Sequence, residues 1–150
     1  MAEEKKVVNK STNNTCYAQI VKGINKNRKV SYSLVISVLV PSINKVIPFK
    51  TIYLNEFDSE MLQLFGVVNY DNNYNNKNLL VRLVRGISQL GNVYHLFDIS
   101  VVIDGEITKY KQTLVSDWEM KSLTKQCGFT TIDIETIKLD ENNLLGGLNE

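Results

Sequence analysis

The stretch RKVSYSLVISVLV, residues Arg28–Val40, decides the fold class of this chain. Apolar or aromatic residues occupy every second position from Val30 to Val40, and serine fills three of the five positions between them. Successive side chains of a β-strand point to opposite faces, so this alternation predicts a strand with one buried face. Pro41 ends the strand, because proline cannot donate a hydrogen bond to a sheet ladder.

Further strands are predicted on both sides of this stretch, from their β-type composition and alternation. These segments are Thr15–Asn25, Val46–Leu54, Leu79–Ser88, Val93–Ile103 and Glu106–Leu114. Turn signals separate most neighbours, and Asp104-Gly105 is the strongest of them. Pro48 lies near the start of the third strand and therefore predicts an edge position or a bulge there.

Two helices are predicted among these strands. Asp58 is a suitable N-cap for the first, whose apolar face extends to Val68. The second begins with the capping box Ser116–Glu119 and ends near Gly128. The order is thus three strands, one helix, three strands and a second helix near the C-terminus. It favours a mainly β fold, a β-barrel resembling the OB-fold, with another barrel or a sandwich as the alternative.

The length of 150 residues fits one folded domain. We expect a flexible N-terminal arm at residues 1–14, the barrel domain at residues 15–128 and an extended acidic tail at residues 129–150. The two cysteines do not make a disulfide framework, and the chain shows neither a signal peptide nor an apolar run of bilayer length. These features predict a cytoplasmic protein that does not associate with membranes.

Charge is distributed unevenly along the chain, although the formal net charge is only +1. No Asp or Glu lies between Lys5 and Asn55, a stretch that holds nine lysine or arginine residues. The last 24 residues hold five acidic residues and a single lysine, Lys138. A basic first part and an acidic tail indicate a polyanionic partner. The alternative is that the basic residues lie singly around a solvated barrel.

Residues that carry catalysis or bind metal ions are sparse. His95 is the only histidine, and the sequence places no acid–base partner beside it. Cys16 and Cys127 lack zinc-ligand spacing, and the segment Arg85–Gly91 lacks the lysine step of a phosphate-binding loop. The sequence therefore predicts a protein that is not an enzyme and binds neither metal nor another cofactor. The absence of paired carboxylates disfavours a barrel enzyme or a carbohydrate binder.

Basic and aromatic residues are interleaved along the predicted strands, as in proteins that hold single-stranded nucleic acid by phosphate contacts and base stacking. The candidate nucleic-acid-binding residues are Lys22, Lys26, Arg28, Lys29, Lys50, Tyr53, Arg82, Arg85, Tyr94, Lys109, Tyr110 and Lys111.

Arg82 and Arg85 interrupt an otherwise apolar strand, where burial of an unpaired guanidinium is costly. Either a phosphate or an intrachain pair with Asp98 or Glu56 would satisfy them. Residues three apart point to opposite faces of a regular strand, so a bulge near Gly86 would be needed to bring the two arginines together.

With these residues and this strand order, the chain resembles OB-fold single-stranded-DNA-binding proteins. More narrowly, it resembles the PrgE-type accessory binders of Gram-positive (enterococcal) conjugative plasmids. The resemblance covers about Thr15–Gln126 and also rests on the lysine- and asparagine-rich composition and the polar arm Met1–Asn14. It implies single-stranded DNA binding with little sequence preference. It further implies a homo-oligomer that coats the strand during conjugative transfer, with the N-terminal arm reaching a neighbouring subunit.

Other ligands and functions stay open from sequence. Duplex DNA or RNA could replace single-stranded DNA as the polyanion. Asp140–Glu150 is only a short counterpart of the acidic tip of replicative single-strand binders, so recruitment of replication proteins is not expected. The alternative function is a small phage or plasmid protein that binds or inhibits a host protein. Its exposed apolar strand edges and Leu144-Leu145 would be the contact.

Overall fold

The computed structural model describes residues 15–24, 26–67, 75–131, 134–138 and 144–145. The strands are β1 (Cys16–Ile24), β2 (Val30–Val40), β3 (Lys45–Leu54), β4 (Leu79–Ile87), β5 (Val93–Ile103), β6 (Glu106–Val115), β7 (Glu135–Lys138) and β8 (Leu144–Leu145). The helices are α1 (Glu56–Leu64) and α2 (Asp117–Cys127). The predicted N-terminal arm at residues 1–14 lies outside the described residues.

The strands form two sheets. Sheet A has the order β1-β2-β3, and all its pairs are antiparallel. Sheet B has the order β7-β4-β5-β6-β8, in which the short strands β7 and β8 join parallel to β4 and β6. The mainly β class is confirmed, with one helix between the third and fourth strands and the other near the C-terminus.

A closed barrel is a loose description of this arrangement, because no ladder joins the two sheets among the described residues. The physical reason lies at the edges of sheet B. There, β7 pairs with the second half of β4, and β8 pairs with Gln112 and Thr113 of β6. These short strands use backbone groups that a closed barrel would use to join the sheets. The Asn76 N–H donates to the Ala18 carbonyl at 2.7 Å and so connects β1 with the chain before β4.

The core lies between the sheets and is built on their two central strands. Leu34 and Ile36 of β2 and Phe97 and Ile99 of β5 are fully buried in the same apolar cluster. Phe49 of β3 meets Phe97 edge-on, with the ring centroids 6.0 Å apart. Such an edge-to-face contact is favourable because the ring edge is positive and the ring face negative.

Pro48 is accommodated at both an edge strand and a bulge, as the sequence predicted. The register between β2 and β3 shifts at Ile36 and Ser37, which face Lys50 and Pro48, so that Phe49 is the additional residue. Because β3 is an edge strand of sheet A, the N–H that proline lacks is not needed by a further strand. The bulge allows Phe49 to pack against the core.

Capping residues set the helix boundaries. The expected N-cap Asp58 is wrong, because the Asn55 side chain accepts the Asp58 N–H at 2.7 Å and α1 begins three residues earlier. The Asp58 carboxylate instead accepts a hydrogen bond from the Asn55 N–H at 3.3 Å, which completes a capping box. For α2 the predicted box of Ser116 and Glu119 is confirmed, and Gly128 ends the helix in the left-handed conformation that glycine adopts without strain.

Two opposite ends of the core follow from this topology. The β1–β2 turn and α1 lie at one end, which is called the α1 end. The β2–β3 turn lies at the opposite end, which is called the α2 end because α2 packs there against β2. Val93, Tyr94 and His95 at the start of β5 share a cleft with the start of α2, so this part of β5 also belongs to the α2 end.

Both faces of β5 are buried, although its alternation predicted only one buried face. Leu96, Asp98 and Ser100 lie on the face opposite the core and are buried there. The segment after Gly128, which the sequence predicted as an extended tail, adds buried Phe129 to the core and strands to both edges of sheet B.

We predict that Ile99→Ala lowers the free energy of unfolding by about 2–5 kcal/mol, because it removes buried methyl groups and leaves a cavity. Ile107→Ala is the matched control, since Ile107 is 62% exposed. Chemical denaturation of both variants measures the difference. Equal losses would contradict the two-sheet core.

Candidate nucleic-acid interface

Sheet A contains no acidic residue in any of its three strands or in the turns between them. Its cations are Lys22, Lys26, Arg28, Lys29, Lys45 and Lys50. Sheet B, by contrast, carries Asp98 and Glu106 on its long strands and Glu135 on β7. The charge asymmetry seen along the sequence therefore becomes an asymmetry between the two sheets.

Four of the six cations of sheet A lie in or beside the β1–β2 turn, at the α1 end. Lys26, Arg28 and Lys29 are exposed within this turn, and Lys22 is exposed on the adjoining part of β1. Arg28 has a φ of 61°, in the left-handed region that a tight turn requires. The structure thus brings together four of the predicted phosphate-binding residues.

The outer face of sheet A carries the exposed aromatic ring of Tyr53. Tyr53 of β3 is 82% exposed and lies directly opposite Ser33 of β2, which in turn lies opposite Val21 of β1. The next pair towards the β1–β2 turn is Gly23 and Ser31. Small residues beside an exposed ring leave room for a planar group to stack on that ring.

Lys50 is committed to an intrachain contact rather than to this face. Its Nζ donates to the Leu114 carbonyl and forms an ion pair with Glu119 at 3.0 Å. The contact joins sheet A to the end of β6 and the first turn of α2. Lys50 is therefore a link between the two sheets.

Lys111 and Tyr110 are likewise engaged, at Asp58 of α1. The Lys111 ammonium lies 2.7 Å from the buried Asp58 carboxylate and 5.4 Å from the centre of the Tyr110 ring. The Tyr110 hydroxyl donates to the Asp58 carbonyl at 3.0 Å. Burial, with a smaller contribution from Asp58, raises the pKa of Tyr110. These contacts fasten α1 to sheet B.

Arg82 and Arg85 contact other parts of the same chain. Arg82 pairs with Asp98 at 3.0 Å, which confirms the intrachain alternative, and also with Glu135. Arg85 donates to the Thr131 carbonyl at 2.8 Å. The bulge considered near Gly86 is absent, because β4 and β5 pair without a register shift.

Tyr94 and Lys109 lie apart from the basic turn. Tyr94 is half-buried beside His95 in a cleft of about 360 Å³ at the α2 end. Lys109 is exposed on β6, in sheet B. The structure thus distributes the twelve candidates over several regions and does not form one continuous face from them.

His95 and the two cysteines are the remaining residues with potential chemistry. Burial, and next the Arg85 charge, lower the pKa of His95, while Asp117 opposes this shift. Burial, with nearby Cys127 adding to the effect, raises the pKa of Cys16 to about 12, and burial also raises that of Cys127. Both thiols are thus protonated at neutral pH, which makes them weak nucleophiles.

Clusters of metal ligands would indicate a metal site, and long apolar helices would indicate a membrane span. Among the described residues, no three side chains of histidine, cysteine, aspartate or glutamate lie together in a way that could hold a metal ion. Neither described helix is long and apolar enough to cross a membrane.

Sequence reasoning missed the contribution of β7 to the arginine contacts. Glu135 and Thr136 meet Arg82 and Arg85 through a parallel pairing between segments about 50 residues apart in sequence. No local pattern reports such a pairing. The polar outer face of sheet A could have been predicted from sequence, because Ser31 and Ser33 lie on the polar face of the β2 alternation.

We predict that Lys50→Ala lowers the free energy of unfolding by about 1–3 kcal/mol, since Glu119 and the Leu114 carbonyl lose a partly buried donor. Lys45→Ala is the matched control, because Lys45 lies on the same strand and is exposed. Thermal or chemical denaturation measures the difference. Equal small losses would show that the Lys50 ion pair does not stabilise the fold.

Comparison with known proteins adds no relative to this picture. No family model matches the chain, and no match was found among curated proteins or solved structures. The function therefore has to be argued from the residues and their geometry.

Proposed function

We propose that the chain binds single-stranded nucleic acid, without catalysis, across the outer face of sheet A and the β1–β2 turn. The observation that carries the proposal is the combination of an acid-free sheet, a basic turn and the exposed ring of Tyr53. Basic side chains bind phosphates and aromatic rings stack on bases, which are the two requirements for holding a single strand. OB-fold proteins use the corresponding region, the second and third strands with the loop between the first and second.

The predicted residues have different roles in this proposal. Lys22, Lys26, Arg28 and Lys29 supply phosphate contacts in this proposal, and Tyr53 supplies stacking. Lys50, Tyr110 and Lys111 stabilise the fold through their partners at Glu119 and Asp58. Tyr94 and Lys109 lie outside the proposed surface.

The finer aspects of the proposal come from the resemblance to PrgE-type accessory binders. They are a preference for single-stranded DNA, little sequence preference, coating of the strand by an oligomer and a cytoplasmic role in conjugative transfer. A stacking ring and phosphate contacts support low sequence preference, because every base has a face and every nucleotide a phosphate. Contact between subunits through residues 1–14 belongs to the same proposal.

A protein-binding function is the second candidate, and the α2 end favours it. Leu90 is 89% exposed in the β4–β5 connection, and Trp118 is 75% exposed in the first turn of α2. Val93, at the start of β5, and Asp117, at the start of α2, line a cleft at this end. An exposed tryptophan is typical of protein interfaces, where this residue type is enriched among the side chains that carry most of the binding energy. Capture of a defined protein by a chain that binds no oligonucleotide would favour this candidate.

Fluorescence anisotropy with a labelled ~30-nucleotide oligomer, single- or double-stranded, tests the proposal at several salt concentrations. We predict that the double variant Lys26→Ala/Lys29→Ala weakens single-strand binding. We also predict that the slope of its log–log salt dependence falls by about 0.7 for each phosphate that the variant no longer binds. The matched control is Lys121→Ala/Lys125→Ala, which removes two exposed lysines from α2. No single-strand binding by the unmodified chain at low salt would refute the proposal.

We predict that Tyr53→Ala weakens single-strand binding by about 5-fold to about 150-fold, because stacking contributes about 1–3 kcal/mol per base. The melting temperature should stay unchanged, since Tyr53 is exposed. Phe57→Ala removes an exposed ring from α1 and is the control. An equal effect of the two substitutions would remove the outer face of sheet A from the site.

A further inference from the structure

Arg82 and Arg85 both contact the segment that follows α2. Arg82 Nη1 forms an ion pair with Glu135. Arg85 Nη2 donates to the Thr131 carbonyl at 2.8 Å, and its Nη1 donates to the Thr136 hydroxyl at 3.2 Å. β7 runs parallel to β4, and this pairing brings its residues beside the arginine side chains.

The two carboxylates on Arg82 differ in burial. Asp98 is almost fully buried and also accepts a bond of 3.3 Å from the buried amide of Gln112. Glu135 is 58% exposed, and Arg82 itself is 42% exposed. Asp98 therefore fixes the orientation of the guanidinium, while Glu135 covers an edge that is accessible to solvent.

A guanidinium binds carboxylate and phosphate oxygens with the same planar arrangement of N–H donors. The Glu135 carboxylate thus lies where a phosphate oxygen could bind to Arg82. Arg85 is held by uncharged oxygens of Thr131 and Thr136, so no carboxylate hydrogen-bonds to it among the described residues. Residues 82 and 85 lie three apart in a strand without a bulge, so their side chains leave opposite faces of sheet B, and Arg82 is the one that is held by an exposed carboxylate.

We propose that Arg82 forms a second phosphate-binding subsite, which Glu135 occupies in the absence of nucleic acid. The inference rests on the proposed function and adds its regulation: the C-terminal segment and a nucleic-acid backbone compete for the same guanidinium. It commits to a single-stranded nucleic acid as the ligand, one phosphate of which binds Arg82.

Exchange of the two anions requires little movement of the protein. Only the exposed Glu135 side chain has to turn away, while β7 keeps its backbone pairing with β4. Exposed ion pairs are weak and are screened by salt. A nucleic-acid strand also gains from the release of counterions, which a single side-chain carboxylate does not offer.

Glu135→Gln in the full-length chain tests the subsite by anisotropy with the same single-stranded oligomer. We expect affinity to rise about two- to fivefold at low salt, and the log–log salt dependence to steepen by about 0.7 for one additional bound phosphate. Glu106→Gln is the matched control, because it makes the same charge change on an exposed residue of β6. An equal effect in the control would overturn the subsite, since general charge would then explain the gain.

A double-mutant cycle links the effect to Arg82. In Arg82→Lys, which keeps a cation for Asp98 but loses the second N–H edge, adding Glu135→Gln should change affinity by less than about 1.5-fold. If Glu135→Gln still raised the affinity in the Arg82→Lys variant, the assignment of the subsite to Arg82 would be overturned. If the unmodified chain binds the oligomer and Glu135→Gln changes nothing, the subsite is refuted and the proposed function stands. If the unmodified chain does not bind, both are refuted.

Discussion

The packing of β2 against β5 is the constraint on which the rest of the structure depends. Each is the central strand of its sheet, and their facing side chains, including Ile36 and Phe97, are fully buried. Two sheets packed face to face bury their inner sides at a separation of about 10 Å. This arrangement leaves each sheet with one outer face, and the two outer faces differ. That of sheet A carries serines and the exposed Tyr53, whereas that of sheet B buries Leu96 and Asp98.

Partly buried charges connect the helices to this pair of sheets. Lys50 reaches from sheet A to Glu119 at the start of α2, and Lys111 reaches from sheet B to Asp58 in α1. Each ammonium is mostly shielded from water and therefore needs its partner. These two lysines consequently have a structural role, although in sequence they look the same as the exposed lysines of the β1–β2 turn.

The two sheets differ in whether their own strands supply carboxylates to their cations. Sheet A has no carboxylate of its own, so the cations of the β1–β2 turn meet none within their sheet. In sheet B, Asp98 and Glu135 lie on either side of Arg82. The net charge of the chain is therefore small although its two sheets differ. Sheet A is basic, and in sheet B an arginine is paired with carboxylates. A binding surface and a competing internal anion can coexist in such a molecule without a high net charge.

The sequence by itself determined the six long strands, both helices, the cap at Ser116, the edge bulge at Pro48 and the acid-free stretch from Lys5 to Asn55. Each depends on residues close together in sequence, such as the alternation from Val30 to Val40. Only the tertiary structure decided how the strands divide into two sheets and which cations are engaged. Parallel pairing of β7 with β4, and the contacts of Lys50 and Arg82, join residues about 50 or more positions apart. Such contacts depend on how whole sheets pack, and no local pattern of residues encodes them.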